Sequence, residues 1–248
     1  MLPIVGGKDL PPIIDPETNL KKYAAIGGYP VLDAIMKADP KDYQKLLMTK
    51  SVDMPIWIGS VKFTDTLDDV LDVFAKTKSG NVVVEGEGDA RTLLSLKDIV
   101  ALFETGKLRT DLRAFDVGSK KISISNDSSI QDALRAMFKE RIRRVFSSSR
   151  RSDRLRFVSS RDIISFLFSP ERLELLRQEP EMWIQERISS VPSSDAKFIP
   201  DSTEVNEASR EMGWKEDACL VCNESDKVVT RWDVVMKPWK LGELQNYP

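Results

Sequence analysis

The chain has 248 residues, a formal net charge of −2, 41% hydrophobic residues and 31% charged residues. This composition is ordinary for a globular protein with a sizeable core, and the charge gives no general attraction to nucleic acid or anionic membranes. The sequence contains no histidine, which excludes Ser-His-Asp and Cys-His catalytic sets and histidine metal ligands. We find neither an apolar run of transmembrane length nor a signal-peptide pattern, so we expect a cytoplasmic location.

The first 50 residues are the least regular part of the sequence. Prolines and glycines up to residue 30 predict loops and short strands. Two helices are predicted after them, over residues 31–36 and 40–47, and Asp39 is a plausible cap for the second. This region can hold only part of a repeated unit.

The rest of the chain repeats one order of elements, which is strand, helix, strand, strand, helix. Apolar spacing predicts this order over residues 54–103, 122–168 and 198–236, which we call repeats two, three and four. Repeat one, at the N-terminus, holds only the second half of the unit. The hydroxyl residues predicted to cap helices in repeats two and three are Thr66, Ser95, Ser128 or Ser129, and Ser159.

The same short pattern occurs at the start of the last helix of each repeat. It consists of apolar residues, a hydroxyl residue, two spacers and an aspartate. The copies contain Ser95 and Asp98, Ser159 and Asp162, and Thr230 and Asp233. A weaker copy ends at Asp33, with Pro30 in place of the hydroxyl residue. The successive aspartates are 65, 64 and 71 residues apart, and such a period indicates a repeated structural unit.

The two cysteines, Cys219 and Cys222, form a Cys-x-x-Cys pattern that suggests redox chemistry or half of a zinc site. The residues between them are Leu220 and Val221, which make the stretch an apolar strand. Side chains alternate faces along a strand, so the two sulfur atoms should point to opposite sides. We therefore expect buried structural cysteines.

The repeated unit resembles the cystathionine β-synthase (CBS) domain. Repeat three carries the resemblance most clearly, in the stretches 128–134, 143–146 and 158–162. The resemblance implies an α/β fold of tandem CBS-type repeats that pair into Bateman modules, with clefts between the paired sheets. Such clefts commonly bind AMP, ADP, ATP or S-adenosylmethionine. It also implies a regulatory sensor without a cofactor or catalytic activity, organised like the γ subunit of AMP-activated protein kinase.

We predict that repeats two and three pair over residues 51–169. Repeats one and four then form a second pair, from residues 1–50 and 170–248. The alternative pairing, of one with two and three with four, divides the chain into 1–110 and 111–248.

The predicted nucleotide-binding residues are Ser95, Asp98, Arg143, Arg144, Ser159, Arg161, Asp162, Thr230 and Asp233. A helix N-terminus offers free N–H groups and a positive dipole end to a phosphate, and an aspartate can accept hydrogen bonds from the ribose hydroxyls. The resemblance further implies that Arg143 and Arg144 reach the phosphate at the site of Asp98. The alternative is that serine and aspartate in a first helical turn act as capping residues alone.

Two other functions stay open at this stage. The arginines between Arg141 and Arg161 could bind nucleic acid, in which case affinity would fall steeply with salt. The chain could also be a scaffold subunit with empty clefts. The helices over 67–74 and 130–138 should be partly covered by another pair, from this chain or from a second copy, so a homodimer or a regulated partner protein is expected.

Overall fold

The computed structural model describes residues 2–3, 12–26, 28–37, 56–88, 90–149, 152–179, 185–213 and 218–246. The predicted helix over 40–47 with its cap Asp39, and the side chains of Arg150 and Arg151, lie outside the described residues.

The described chain is a mixed α/β structure. Its strands are β1 Leu2–Pro3, β2 Ile13–Ile14, β3 Lys21–Ile26, β4 Ile56–Lys62, β5 Asn81–Glu85, β6 Arg91–Ser95, β7 Leu108–Arg109, β8 Ser119–Lys120, β9 Ser123–Ser125, β10 Arg144–Ser149, β11 Ser152–Ser159, β12 Ser194–Asp195, β13 Lys197–Ile199, β14 Cys219–Cys222, β15 Lys227–Thr230 and β16 Gln245–Asn246. Its helices are α1 Gly28–Lys37, α2 Leu67–Thr77, α3 Leu96–Glu104, α4 Ala114–Val117, α5 Ile130–Glu140, α6 Ser160–Leu167, α7 Pro170–Gln178, α8 Val205–Met212 and α9 Arg231–Leu241. A short 3-10 helix covers Ile188–Ser190.

The predicted order of elements is confirmed in repeats two, three and four. In each repeat the first strand runs parallel to the strand after the first helix, as in β4 with β5, β9 with β10, and β13 with β14. The next strand then returns antiparallel, as in β5–β6, β10–β11 and β14–β15. This shared topology places the N-terminus of the last helix directly after an antiparallel strand, which is where the repeated pattern lies.

The first helices form as the apolar spacing predicts. In α2 the side chains of Val70, Leu71 and Phe74 are buried, while the first-turn aspartates Asp68 and Asp69 face solvent. Full burial of a side chain such as Phe74, which has no exposed surface, stabilises the fold by roughly 1.5–3 kcal/mol. The amphipathic pattern therefore fixes which face of the helix packs on the sheet.

The contacts divide the chain into two compact units. The first unit contains Ile26–Ile56 and Lys121–Ala196 as far as they are described, and so repeats one and three. The second unit contains the described parts of Pro3–Ala25, Trp57–Lys120 and Lys197–Pro248, and so repeats two and four. Each unit has its own core of buried apolar side chains.

This division differs from both predicted ones. The first grouped residues 51–169 apart from the two chain ends, and the second divided the chain between residues 110 and 111. The helices of repeats two and four share one core in the second unit, where Phe103 and Val205 are both fully or almost fully buried. In the first unit, Leu32 of repeat one lies in the core with Leu134 and Ile163 of repeat three. Which repeats pair around a nucleotide cleft is a separate question, and that pairing stays a prediction.

Each of the first helices of repeats two and three contacts a helix of another repeat within its own unit, while covering by another pair stays a prediction. The indole Nε1 of Trp239 in α9 donates a hydrogen bond of 2.6 Å to Asp68 in α2. Helix α5 contacts α1 of repeat one. Both partners belong to this chain, and covering by a second copy stays a prediction.

The last helix of repeat four is longer than predicted. We expected it to end near Met236, but α9 continues through Pro238 to Leu241. Gly242 then takes the left-handed conformation that ends the helix, with φ at 73°. The buried face, which includes Pro238 itself, holds the final turn in place although proline donates no hydrogen bond.

Candidate functional site

The repeated serine or threonine and aspartate form a capping box at each last helix. The backbone N–H groups of Ser95, Ser159 and Thr230 donate to Oδ2 of the aspartate three residues later, at 2.7, 2.8 and 2.9 Å. Their hydroxyl groups donate to the same oxygen at 2.6, 2.7 and 2.6 Å. Each aspartate therefore uses Oδ2 to hold the start of its own helix.

The same arrangement occurs at the first helices of repeats two and three. Thr66 and Asp69 start α2, and Ser129, one of the two predicted caps, pairs with Asp132 at the start of α5. Hydrogen bonds from Thr66 and from Ser129 hold the pKa of the paired aspartate below its usual value. The serine-aspartate spacing alone therefore indicates a cap, and a ligand site needs a further feature.

The second carboxylate oxygen distinguishes the three predicted sites. Oδ1 of Asp233 accepts a hydrogen bond of 2.6 Å from the hydroxyl of Ser119 and lies 3.7 Å from Nζ of Lys237. Asp233 is only 4% exposed. Both of its oxygens thus have partners within the protein, and this geometry favours a structural role for Thr230 and Asp233.

Strand β8 explains how Ser119 reaches this aspartate. It adds to the edge of β15 with Ser119 opposite Val228, two residues before Thr230. In repeat three, β12 adds to β11 in the same register, with Ser194 opposite Phe157. Among the described residues, however, no hydrogen bond joins Ser194 to the aspartate of that repeat.

Asp98 and Asp162 keep Oδ1 available. Within the described parts of the chain, neither oxygen accepts a hydrogen bond from another residue, since each capping contact uses Oδ2. Asp98 is exposed and Asp162 is half-buried. These two helix N-termini can therefore offer a charged acceptor to a ligand without losing the cap.

The predicted arginines of repeat three lie beside its capping box. Arg144 is opposite Ser159 in the β10–β11 pairing, and the carbonyl oxygen of Arg143 accepts a hydrogen bond of 2.8 Å from the N–H of Ser160. Arg161 occupies the first turn of α6 and is exposed. The prediction that Arg143 and Arg144 complete the site of Asp98 involves both compact units and stays a prediction.

The weaker copy in repeat one has a different environment. Asp33 lies inside α1 and forms an ion pair of 2.6 Å with Lys37, one helical turn later. Asp33 therefore does not lie at the start of its helix. Pro30, which replaces the hydroxyl residue of the motif, cannot act as a cap.

A polar cluster around Tyr23 was not predicted. Tyr23 is 1% exposed, and its hydroxyl donates 3.0 Å to Oε1 of Glu85, while Nζ of Lys21 donates 3.0 Å to Oε2. Burial alone would raise the pKa of Glu85, but hydrogen bonds from Ser60, Lys21 and Tyr23 outweigh it and lower the pKa. The two strands involved are far apart in sequence, and no motif connects them.

Both cysteines are buried thiols, as expected. Leu220 and Cys222 contribute to the core of the second unit, and Cys219 faces the other side of β14. Burial, followed by the nearby negative charge of Asp201, raises the pKa of Cys222.

Native protein should therefore react very slowly with a thiol reagent such as Ellman's reagent, because the reactive thiolate is both scarce and inaccessible. Urea-unfolded chain is the control and should release two equivalents, one for each cysteine. Rapid reaction of the native protein at neutral pH would contradict the structural assignment.

Two other features are absent from the described residues. No group of three or more potential metal-ligating side chains occurs there. None of the helices described in the structure is long and apolar enough to cross a membrane.

Comparison with known proteins identifies the fold. No protein-family model matches the sequence, and no curated protein matches it. A Methanocaldococcus jannaschii protein, described as a candidate archaeal homologue of γ-AMPK, is similar with a TM-score of 0.73 and 14% identity, covering 94% of this chain and 88% of that one. An uncharacterised conserved protein of Pyrococcus horikoshii has a TM-score of 0.53 and 15% identity, covering 71% and 77%. A CBS-domain protein of Pyrobaculum aerophilum, solved with AMP, has a TM-score of 0.39 and 17% identity, covering 53% and 97%.

The repeated strand-helix-strand-strand-helix topology and the similarities to the M. jannaschii and P. horikoshii proteins define an α/β protein of tandem repeats. Its fold is the tandem CBS fold.

Proposed function

We propose that this chain is a non-catalytic regulatory sensor that binds an adenine nucleotide (AMP, ADP or ATP) at the N-termini of α3 and α6. The observation that carries the proposal is the available Oδ1 of Asp98 and Asp162, compared with the occupied Oδ1 of Asp233. The overall similarity to the candidate γ-AMPK homologue supports a sensing role of this kind.

Each group in the proposed site has a distinct part. Oδ1 of the aspartate accepts from the ribose hydroxyls, while Oδ2 continues to hold the cap. The hydroxyls of Ser95 and Ser159 already donate to the aspartates, so the phosphate is held mainly by the backbone N–H groups of the first helical turn. Arg143, Arg144 and Arg161 supply positive charge to the phosphate.

Calorimetric titration of the full chain with AMP, ADP, ATP and S-adenosylmethionine tests the proposal. We expect saturable binding of at least one nucleotide, and weaker binding of S-adenosylmethionine because it has the ribose diol but no phosphate. Absence of binding by all three nucleotides would contradict the proposal and favour a scaffold with empty clefts.

Nucleic acid is the other partner considered from the sequence. In the structure, the guanidinium of Arg156 donates 3.0 Å to the carbonyl oxygen of Ser193 and lies 3.7 Å from Asp195. This arginine is thus engaged within the first unit, and no described contact favours a nucleic-acid surface. Binding to duplex DNA that weakens steeply with salt would support that alternative.

A further inference from the structure

A cavity in the second unit contains none of the residues predicted to bind nucleotide. Its volume is about 560 Å³, within the range of roughly 300–1,000 Å³ in which small-molecule sites occur. The charged side chains that line it are Arg109, Asp111, Arg113, Glu204 and Arg210, and Asn206 and Gln245 add two amides. Three guanidinium groups from two separate parts of the chain therefore face one space.

Hydrogen bonds fix the walls of this cavity. Asn206 in α8 donates to the carbonyl oxygens of Phe103 and Leu108, at 3.1 and 2.8 Å. One turn later, Nε of Arg210 donates 3.4 Å to the carbonyl oxygen of Glu104, at the end of α3. Helix α8 is thus tied to the segment that carries Arg109.

Backbone contacts join Arg113 to the residues just before α8. Arg113 forms an antiparallel bridge with Glu204, and its N–H donates 2.8 Å to Oδ2 of Asp116. The N–H of Ala114 donates 2.7 Å to the carbonyl oxygen of Thr203, on the same side. The arginine side chains therefore extend from fixed backbone positions.

The cavity has an excess of positive charge and of hydrogen-bond donors. Three arginines face two acids, Asp111 and Glu204. Within the described residues, the guanidinium groups of Arg113 and Arg210 form no ion pair, although Glu204 lies opposite Arg113. A guanidinium carries five N–H donors in a planar fork that matches phosphate and carboxylate oxygens.

We propose that this cavity binds a small ligand with two or more oxyanion groups, either phosphates or carboxylates. Several anionic groups are needed because the arginines that attract the ligand come from two separate parts of the chain, at 109–113 and at 210. This site is separate from the proposed nucleotide sites and does not depend on them.

Calorimetry of the full chain with inorganic pyrophosphate and with citrate, in separate titrations, tests the proposal. We expect at least one of them to bind, and which one binds best distinguishes a phosphate ligand from a carboxylate ligand. Arg113→Ala and Arg210→Ala should each weaken that binding about 10- to 150-fold, as expected for a lost charged hydrogen-bond partner. Arg210→Lys should restore only part of it, because lysine keeps the charge but lacks the fork.

Arg187→Ala is the matched control, since Arg187 is an exposed arginine of the first unit paired with Asp127. It should bind as wild type, and unchanged thermal unfolding should show that each variant is folded. Three results would overturn the proposal: neither anion binds at millimolar concentration, both arginine variants bind as wild type, or AMP affinity falls as much as anion affinity. The last result would place the arginines in the nucleotide site instead.

Discussion

Replacing Asp98 and Asp162 together by alanine should weaken adenine nucleotide binding at least 10-fold, and each single replacement about 10- to 150-fold at its own site. The reason is that a ligand loses a charged acceptor, which costs roughly 1.5–3 kcal/mol, and each 1.4 kcal/mol is tenfold in affinity. Calorimetric titration with AMP, ADP and ATP measures the change. The loss should be similar for all three nucleotides, because the aspartates contact the ribose that they share.

The chain offers matched controls for the capping role of these aspartates. Asp69 and Asp132 form the same capping box at α2 and α5, so Asp69→Ala and Asp132→Ala remove an equivalent cap. Each loss of a cap should cost about 0.5–2 kcal/mol of stability, with nucleotide affinity unchanged. If all four variants bind nucleotide as wild type does, the aspartates are caps and the sensor proposal fails for these sites.

Local features of the site could be predicted from sequence because they depend on near neighbours. A hydroxyl residue followed three positions later by an aspartate is enough to specify a capping box, and Ser95 and Ser159 both form one. The repeated topology was predictable for a similar reason, since apolar spacing within each repeat sets its helices and strands.

The availability of each aspartate could not be predicted. Asp233 is occupied because Ser119, 114 residues earlier, lies on a strand that joins the same sheet. Ser194 has the same position in repeat three without making that bond. Identical motifs thus differ through a contact that only the folded chain creates.

The grouping of repeats also depends on distant contacts. The side chains of Val100 and Phe103 in α3 pack in one core with Ala208 and Met212 of α8. Each of these helices has an ordinary amphipathic pattern, which shows that a face is buried but not which helix covers it. The apolar patterns therefore predict the repeats themselves, whereas the grouping of repeats into compact units depends on which buried faces meet in the folded chain.

Replacing Asp233 by alanine should lower the free energy of unfolding of the second unit by about 1–3 kcal/mol, the cost of leaving buried hydrogen-bonding groups unsatisfied. The change leaves the hydroxyls of Ser119 and Thr230 without their acceptor, and the ammonium of Lys237 without its nearest carboxylate. Urea unfolding followed by circular dichroism measures the loss.

Asp233→Asn should be less destabilising, since its carbonyl oxygen can still accept from Ser119. Asp33→Ala is the control for removing a surface aspartate, because the ion pair of Asp33 with Lys37 is exposed and should be worth about 0–1 kcal/mol.

At a temperature where the Asp233→Ala protein is still folded, this variant should bind nucleotide as wild type does, because both carboxylate oxygens of Asp233 already bind groups within the protein. A stable Asp233→Ala protein with strongly reduced nucleotide affinity would reverse this assignment and make the N-terminus of α9 a binding site like the other two.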